Sequence, residues 1–259
     1  MLLQAYLFLS CVSLVWNARA SAMVVITAEG YVRPVEVGVY YESLCPCCQS
    51  FITGQLASAY TEAPELMNLT LVPYGNAQTT KTSRGYEFVC QHGPTECQGN
   101  KVHSCAIKYV NNKMQLLNYV ACMMSDESDP EAIGEECAQL TGIPWKPILK
   151  CSRGREGTEL LKANGDLTEA LGPEMEGVPA ITFNRKLGDQ LAAINDFWGE
   201  LCKHFPEPKP TKCLTHSYKT FSLHERLQDG TDGKEHSSEE LWKKRSPFEW
   251  NTKYANCPE

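Results

Sequence analysis

The stretch Val35-Glu36-Val37-Gly38-Val39-Tyr40-Tyr41-Glu42-Ser43-Leu44-Cys45-Pro46-Cys47-Cys48 decides the fold. Residues 35–41 alternate apolar with small or polar residues before running into aromatics, which is the pattern of a strand. Glu42-Ser43-Leu44 turns the chain. Residues 49–62 then carry Phe51, Ile52, Leu56, Ala59 and Tyr60 on one helical face, and Pro64 stops that helix. Leu69-Thr70-Leu71-Val72-Pro73-Tyr74 reads as a second strand ending at Gly75-Asn76. A strand–helix–strand unit predicts parallel pairing through a right-handed crossover, hence an α/β fold.

At the joint of this unit lies Cys45-x-x-Cys48. A thiolate, not a thiol, attacks a disulfide. Cys45 falls where strand gives way to helix, at the expected N-cap, with Pro46 at the first helical position that suits its missing N–H. Unpaired backbone N–H groups and the helix dipole there favour negative charge on Cys45. Cys48, one turn on, can close a disulfide with it and is expected to be the more buried of the two. Cys45 is therefore the candidate nucleophile and Cys48 the resolving thiol. An ordinary thiol with a pKa near 8.5 is only about 0.03% thiolate at pH 5. A shift of about 3.5 units needs roughly 5 kcal/mol. A helix end supplies at most about 2 kcal/mol, so work in acid requires further hydrogen bonds, for which the N–H groups of Cys47 and Cys48 are the nearest donors. Cys47 is expected to be a spectator thiol.

Downstream the character changes. Across about 86–175 helical periodicity dominates: Val102, Cys105, Ala106, Tyr109 and Val110, then Leu117, Val120, Ala121 and Met124. Asp129-Pro130 opens a further helix that Gly142 and Pro144 close, and another covers about 156–170. Cys90, Cys97, Cys105, Cys122, Cys137 and Cys151 lie in or beside this region. They predict a helical insertion stapled by three disulfides, whose connectivity spacing alone leaves open. Strand character returns at 178–184, a turn at Asn184-Arg185-Lys186 leads to a short partner strand, and a last helix spans about 190–204. Pro206, Pro208 and Pro210 end regular structure. The polar extension 206–259 is a candidate for trimming by a protease.

Val178-Pro179 starts the downstream strand. Proline cannot donate to a ladder, so it belongs at a strand's first residue or in a special turn. A cis bond there would present a backbone edge to an extended peptide, which makes Val178 and Pro179 candidate substrate-binding residues.

The amino terminus sets the compartment. Residues 2–16 are apolar save for Gln4, Ser10 and Ser13, and Ala18-Arg19-Ala20 follows. This reads as a secretory signal cleaved after Ala20, giving a catalytic domain over 21–205. The run is short for a bilayer span, and no second long apolar run follows, so no stable membrane insertion is expected. Thirteen Cys in 259 residues exceed ordinary cytosolic usage, and in an exported chain they are disulfides before they are metal ligands. A net charge of -7 argues against a nucleic-acid partner. Asn68-Leu69-Thr70 is a candidate glycosylation site on a surface loop.

Other readings of the dithiol remain. A zinc half-site would draw on Cys90, His92 and Cys97, and a purely structural Cys45–Cys48 bridge would be inert. The segment Cys90-Gln91-His92-Gly93-Pro94-Thr95-Glu96-Cys97-Gln98-Gly99-Asn100, with Cys105 five residues further on, bears on the choice. It resembles the signature CQHGxxECxxNxxxxC of the gamma-interferon-inducible lysosomal thiol reductase family. Tyr41-Glu42-Ser43-Leu44 before the dithiol, residues 69–77, Val178-Pro179, and Cys202 with Cys213 extend the resemblance over about 35–213. Pro46-Cys47 between the active cysteines departs from the family's pattern.

The resemblance implies a thioredoxin-like fold with the disulfide-stapled helical insertion. It implies reduction of protein disulfides at acidic pH in lysosomes, reached by the secretory pathway, with secretion as a second destination. That activity assists degradation of endocytosed proteins and antigen processing. Disulfide-bonded proteins would be the substrates and a small thiol the reductant, with no cofactor and no metal. Within it Cys45 and Cys48 carry the chemistry, the Cys90–Cys105 signature is structural, and His92 and Glu96 serve turn and hydrogen-bond duties. Cys202 and Cys213 are a further candidate pair, and Cys257 is available to bridge two copies of a precursor. Two rivals share the sequence features: a disulfide oxidase or isomerase of the endoplasmic reticulum, and a secreted stapled binding protein. The terminal Asn256-Cys257-Pro258-Glu259 is not a retention signal, which counts against the first.

Overall fold

The computed structural model describes residues 25–27 and 30–215. The segment read as a signal, and the extension beyond 215 with Cys257, lie outside the described residues. Strands β1 (Val25–Thr27) and β2 (Gly30–Val32) form a small antiparallel ribbon. Strand β3 (Val35–Tyr41) buries Val35, Val37, Val39 and Tyr41, the alternation read from the sequence. It leads to α1 (Pro46–Ser50), a π-helical stretch (Phe51–Leu56) and α2 (Ala57–Glu62), joined by residues in helical conformation. Strand β4 (Met67–Pro73) then pairs with β3 in parallel, Val35 opposite Met67 through Tyr41 opposite Pro73.

A hairpin follows, β5 (Gln78–Thr82) with β6 (Gly85–Val89), which sequence patterning did not reveal because its residues are exposed or half-exposed on both faces. Five helices come next: α3 (Pro94–Tyr109), α4 (Lys113–Met123), α5 (Pro130–Thr141), α6 (Trp145–Arg153) and α7 (Arg155–Glu169). The Asp129 carboxylate caps α5, accepting from the N–H groups of Glu131 and Ala132, and Gly142 ends it with a left-handed φ of 70°. The sequence-based start of the insertion at 86 falls inside β6. The hairpin belongs to the same excursion, which leaves the sheet after β4 and returns at β7 (Ala180–Phe183).

Strand β7 runs antiparallel to β3, and β8 (Lys186–Leu187) runs antiparallel to β7, giving the order β4-β3-β7-β8. A parallel β-α-β unit followed, after an insertion, by an antiparallel hairpin and a closing helix is the thioredoxin-like arrangement. Gly38 lets β3 and β7 approach, since a Cβ there would sit 2.5 Å from Thr182 Oγ1. The expected last helix is two: α8 (Gln190–Asn195) and α9 (Phe197–Lys203). Asp196 breaks the run because its carboxylate caps α9 through the Gly199 N–H. Phe197 packs between Phe51, edge-on at 5.5 Å, and Phe183, stacked at 6.0 Å, and so ties both helical layers to the sheet.

The disulfide pairing left open by spacing is Cys90–Cys97, Cys105–Cys151 and Cys122–Cys137, with Cys202–Cys213 outside the insertion. Cys105–Cys151 joins α3 to α6, and Cys122–Cys137 joins α4 to α5. The boundary placed at 205 is early. Pro210 and Cys213 are buried, residues 211–215 are helical, and Lys212 Nζ meets Glu65 Oε1 and the Glu62 carbonyl, each at 2.7 Å.

Candidate active site

Cys45 is the N-cap of α1, and Pro46 occupies the first helical position. The Cys48 N–H points at the Cys45 sulfur at 3.4 Å, and that sulfur lies 3.8 Å from the Val178 carbonyl oxygen, with Val178-Pro179 cis. Both thiols are free. Cys45 retains 7% exposure and Cys48 none, so the order of access is the expected one, although Cys45 is more enclosed than an open nucleophile. The Cys45 thiol is held below its ordinary value. A hydrogen bond from Cys48 is the main cause, and the N–H groups of Cys48 and Cys47 add to it, against burial and the Glu42 charge. Burial pushes the Cys48 thiol well up, its hydrogen bond to Cys45 adds to this, and the N–H of Glu42 opposes it. The two thiols are thus shifted in opposite directions, Cys45 toward the thiolate and Cys48 toward the protonated thiol.

Cys47 is corrected: it is disulfide-bonded rather than a spectator thiol, and neither active-site sulfur is its partner. Asn68 is corrected too. Asn68 and Thr70 lie on exposed positions of β4, an edge strand of the four-stranded sheet, and not on a loop. The residues proposed for a zinc half-site do not assemble, because Cys90 and Cys97 are bonded to each other.

The signature segment docks directly behind the dithiol. Asn100 Oδ1 accepts the Ser43 N–H at 2.9 Å, the Glu96 carbonyl accepts the Ser43 hydroxyl at 3.2 Å, and Gln49 Nε2 donates to the Ser43 carbonyl at 3.4 Å. Gly99 permits this approach, since a Cβ there would lie 2.5 Å from Ser43 Oγ. The turn between β3 and α1 is therefore fixed by residues fifty positions downstream.

Glu42, which spacing did not single out, is fully buried in that turn. Its Oε1 accepts the Asn76 N–H at 2.6 Å. Its Oε2 lies 3.3 Å from His92 Nδ1 without hydrogen-bond alignment. Gly75, at φ 63°, makes room, for a Cβ would fall 2.2 Å from Glu42 Cγ. Burial raises the Glu42 carboxyl, and the charge of Glu96 adds to this, while the Asn76 N–H and His92 oppose it. Its one sequence signal was its place, an acid directly between an apolar strand and a dithiol; its burial had none. Glu96 Oε1 accepts the His92 N–H at 3.1 Å, and Glu96 Oε2 meets His92 Nδ1 at 2.6 Å. Donors on a tetrahedral metal, with bonds of about 2.0–2.1 Å, stand roughly 3.3 Å apart. The 2.6 Å contact is a proton-bridged one, and the group does not fit a metal shell.

On the far side Tyr41 hydroxyl meets His103 Nδ1 at 3.1 Å, both buried. Burial lowers His103 to about 3, so it stays neutral in mild acid. No signal in the sequence marked this pair beyond the buried face of α3.

Comparison with known proteins follows from this geometry. The family model described as gamma interferon inducible lysosomal thiol reductase matches residues 36–141. The chain is 37% identical to the gamma-interferon-inducible lysosomal thiol reductase of Carassius auratus, over 70% of this chain and 72% of that one. It is 37% identical to a gamma-interferon-inducible lysosomal thiol reductase-like protein of Anopheles gambiae, over 70% and 80%. Among solved structures, oxidised BdbD from Bacillus subtilis is similar with a TM-score of 0.48 and 13% identity, over 66% of this chain and 86% of that one.

Proposed function

Since the chain belongs to the gamma-interferon-inducible lysosomal thiol reductase family and is a thiol-disulfide oxidoreductase, we propose that Cys45 and Cys48 are its reacting pair and that it works as a reductase in acid. The Cys45 thiolate attacks a substrate disulfide, one substrate thiol leaves, and a mixed disulfide remains. Cys48 then attacks Cys45, frees the second substrate thiol and closes Cys45–Cys48. A small thiol reopens the pair. The Val178 carbonyl beside the Cys45 sulfur offers a backbone edge to an extended substrate. Lysosomal residence by way of the secretory pathway, a glycan on Asn68, and service in degradation of endocytosed proteins and antigen processing complete the reading.

The observation that carries it is the hydrogen bonding of Cys48 to the Cys45 sulfur at the start of α1, by its side chain first and its N–H second, which lowers one thiol while burial holds its neighbour up. A lowered thiol keeps an attacking fraction at pH values where an ordinary one has almost none. Insulin reduction by the native chain, Cys45→Ser and Cys48→Ser at about pH 5 and pH 7 tests it. The expected result is activity at the lower pH, its loss in Cys45→Ser, and an accumulating mixed disulfide in Cys48→Ser. Activity that survives Cys45→Ser removes the mechanism. Activity confined to neutral pH moves the chain to the early secretory pathway.

A further inference from the structure

Among the described residues one disulfide shows only one of its ends. Eight cysteines bond among themselves in four pairs, Cys45 and Cys48 are free thiols, and Cys47 is disulfide-bonded. Of the thirteen cysteines in the chain, Cys11 and Cys257 remain as partners for it. Cys11 falls in the segment read as a signal cleaved after Ala20, so the exported chain keeps Cys257 alone. Cys257 belongs to the polar extension that follows the Cys202–Cys213 bridge.

Resting on the reading of Cys45 as the nucleophile, we propose that Cys47 and Cys257 form a disulfide that straps the carboxy-terminal extension across the mouth of the dithiol, so that a bulky substrate reaches Cys45 only once the strap is reduced. Cys47 is the second residue of α1, between Cys45 at the cap and Cys48. It is partly buried against the core while Cys48 is wholly enclosed, so its bond leaves the protein within one helical turn of the nucleophile. The Cys47 N–H is also one of the donors to the Cys45 sulfur. Cys45 itself is nearly enclosed, and little added cover decides which reagents reach it. Phe248, Trp250 and Tyr254, shortly before Cys257, are apolar side chains of the kind an unfolded substrate offers. Held beside the nucleophile by a covalent bond, this segment faces the mouth at an effective concentration on the order of millimolar.

A strap held at both ends, by Cys202–Cys213 and by Cys47, survives a single cut. Cleavage at Lys243-Lys244-Arg245 leaves the last segment hanging from Cys47, so proteolysis alone does not clear the mouth. The small thiol that reopens Cys45–Cys48 serves here too. Its thiolate attacks Cys257, the Cys47–Cys257 bond breaks, and Cys47 leaves as a thiolate. A second small thiolate attacks the mixed disulfide, frees Cys257 and carries the first away as an oxidised small disulfide. Two electrons pass from the small thiols to the strap, and the two protons they shed end on Cys47 and Cys257.

Cys48→Ser leaves Cys45 as a thiol without any reductant, so the strap can be tested intact. That variant is labelled with N-ethylmaleimide, digested with trypsin and mapped by mass spectrometry without reduction. The expected product is the Tyr254–Glu259 peptide bonded through Cys257 to Cys47, in a peptide that carries the label on Cys45. A Cys257 that takes the label, or that bridges to Cys11 or to a second chain, overturns the proposal. Labelling rates of Cys45 with N-ethylmaleimide and with a maleimide on a long polyethylene glycol chain are then compared with those of a second variant, Cys48→Ser joined by Cys47→Ser and Cys257→Ser. Loss of the strap is expected to speed the bulky reagent about tenfold, as for a mouth open about a tenth of the time, and to leave the small reagent unchanged. An equal effect on both reagents, or an effect on neither, overturns the strap. A Cys45 that labels in acid no faster than an ordinary thiol in both variants refutes the reductase reading instead, while the mapped bond and the ratio of the two reagents still decide the strap.

Discussion

A carboxyl whose value is raised by burial binds its proton more tightly in the folded chain than in the unfolded one. For Glu42 the sign follows directly. Its contribution to stability is fully present below the unfolded value of 4.5 and is lost as pH rises through the higher folded value. Glu42→Gln keeps an acceptor for the Asn76 N–H and removes the buried charge. Its thermal midpoint is expected to exceed that of the native chain at pH 7, with the gap closing as pH falls below about 4.5. Unfolding curves of both proteins across that range check it, and a native chain more stable than the variant at pH 7 contradicts it. Cys45 and Cys48 were legible because their spacing is a local, helical fact. Glu42 was not, because its burial comes from Gly75, Asn76 and His92, brought in by the next strand and by the signature.

Elements were legible where one periodicity held and illegible where a side chain or a neighbour overrode it. Strand β3 declared itself by alternation, and α5 by Asp129-Pro130 and Gly142. The hairpin of β5 and β6 has no buried face to announce it, and the break between α8 and α9 comes from one capping carboxylate. The link between the signature and the dithiol turn is of the same tertiary kind. Asn100 is fully buried, and its oxygen is the acceptor for the Ser43 N–H. Asn100→Ala leaves that buried N–H unpaired, at a cost of about 1–3 kcal/mol. The expected consequences are faster exchange of the Ser43 amide and slower reaction at Cys45, with the helices of the insertion still protected. Hydrogen exchange resolved by residue measures the first, and thiol alkylation rate the second. Equal deprotection throughout α3 would show that Asn100 merely stabilises its own helix.

At the scale of the whole molecule, a four-stranded sheet carries a long excursion between β4 and β7, and disulfides of very different reach hold that excursion. In the chain-entropy account, stabilisation grows with the logarithm of the loop closed. Cys105–Cys151, with a separation of 46 residues, is then worth about 4 kcal/mol. Cys90–Cys97, with a separation of 7, is worth about 2 kcal/mol. Function ranks them the other way. The long-range bridge joins α3 to α6, while the short one closes the loop leading into Glu96, whose carbonyl accepts the Ser43 hydroxyl in the turn before Cys45. Paired Cys→Ala replacements are therefore expected to separate stability from activity. Cys105→Ala with Cys151→Ala should lose more in denaturant midpoint yet keep, while folded, most of its rate with a small disulfide. Cys90→Ala with Cys97→Ala should lose less stability and more of its rate with the same disulfide. Both quantities come from the same preparations, by urea unfolding and by thionitrobenzoate release from 5,5'-dithiobis(2-nitrobenzoate). If the two rankings coincide, the signature disulfide is only a staple, and the loop it closes takes no part in the chemistry of the dithiol.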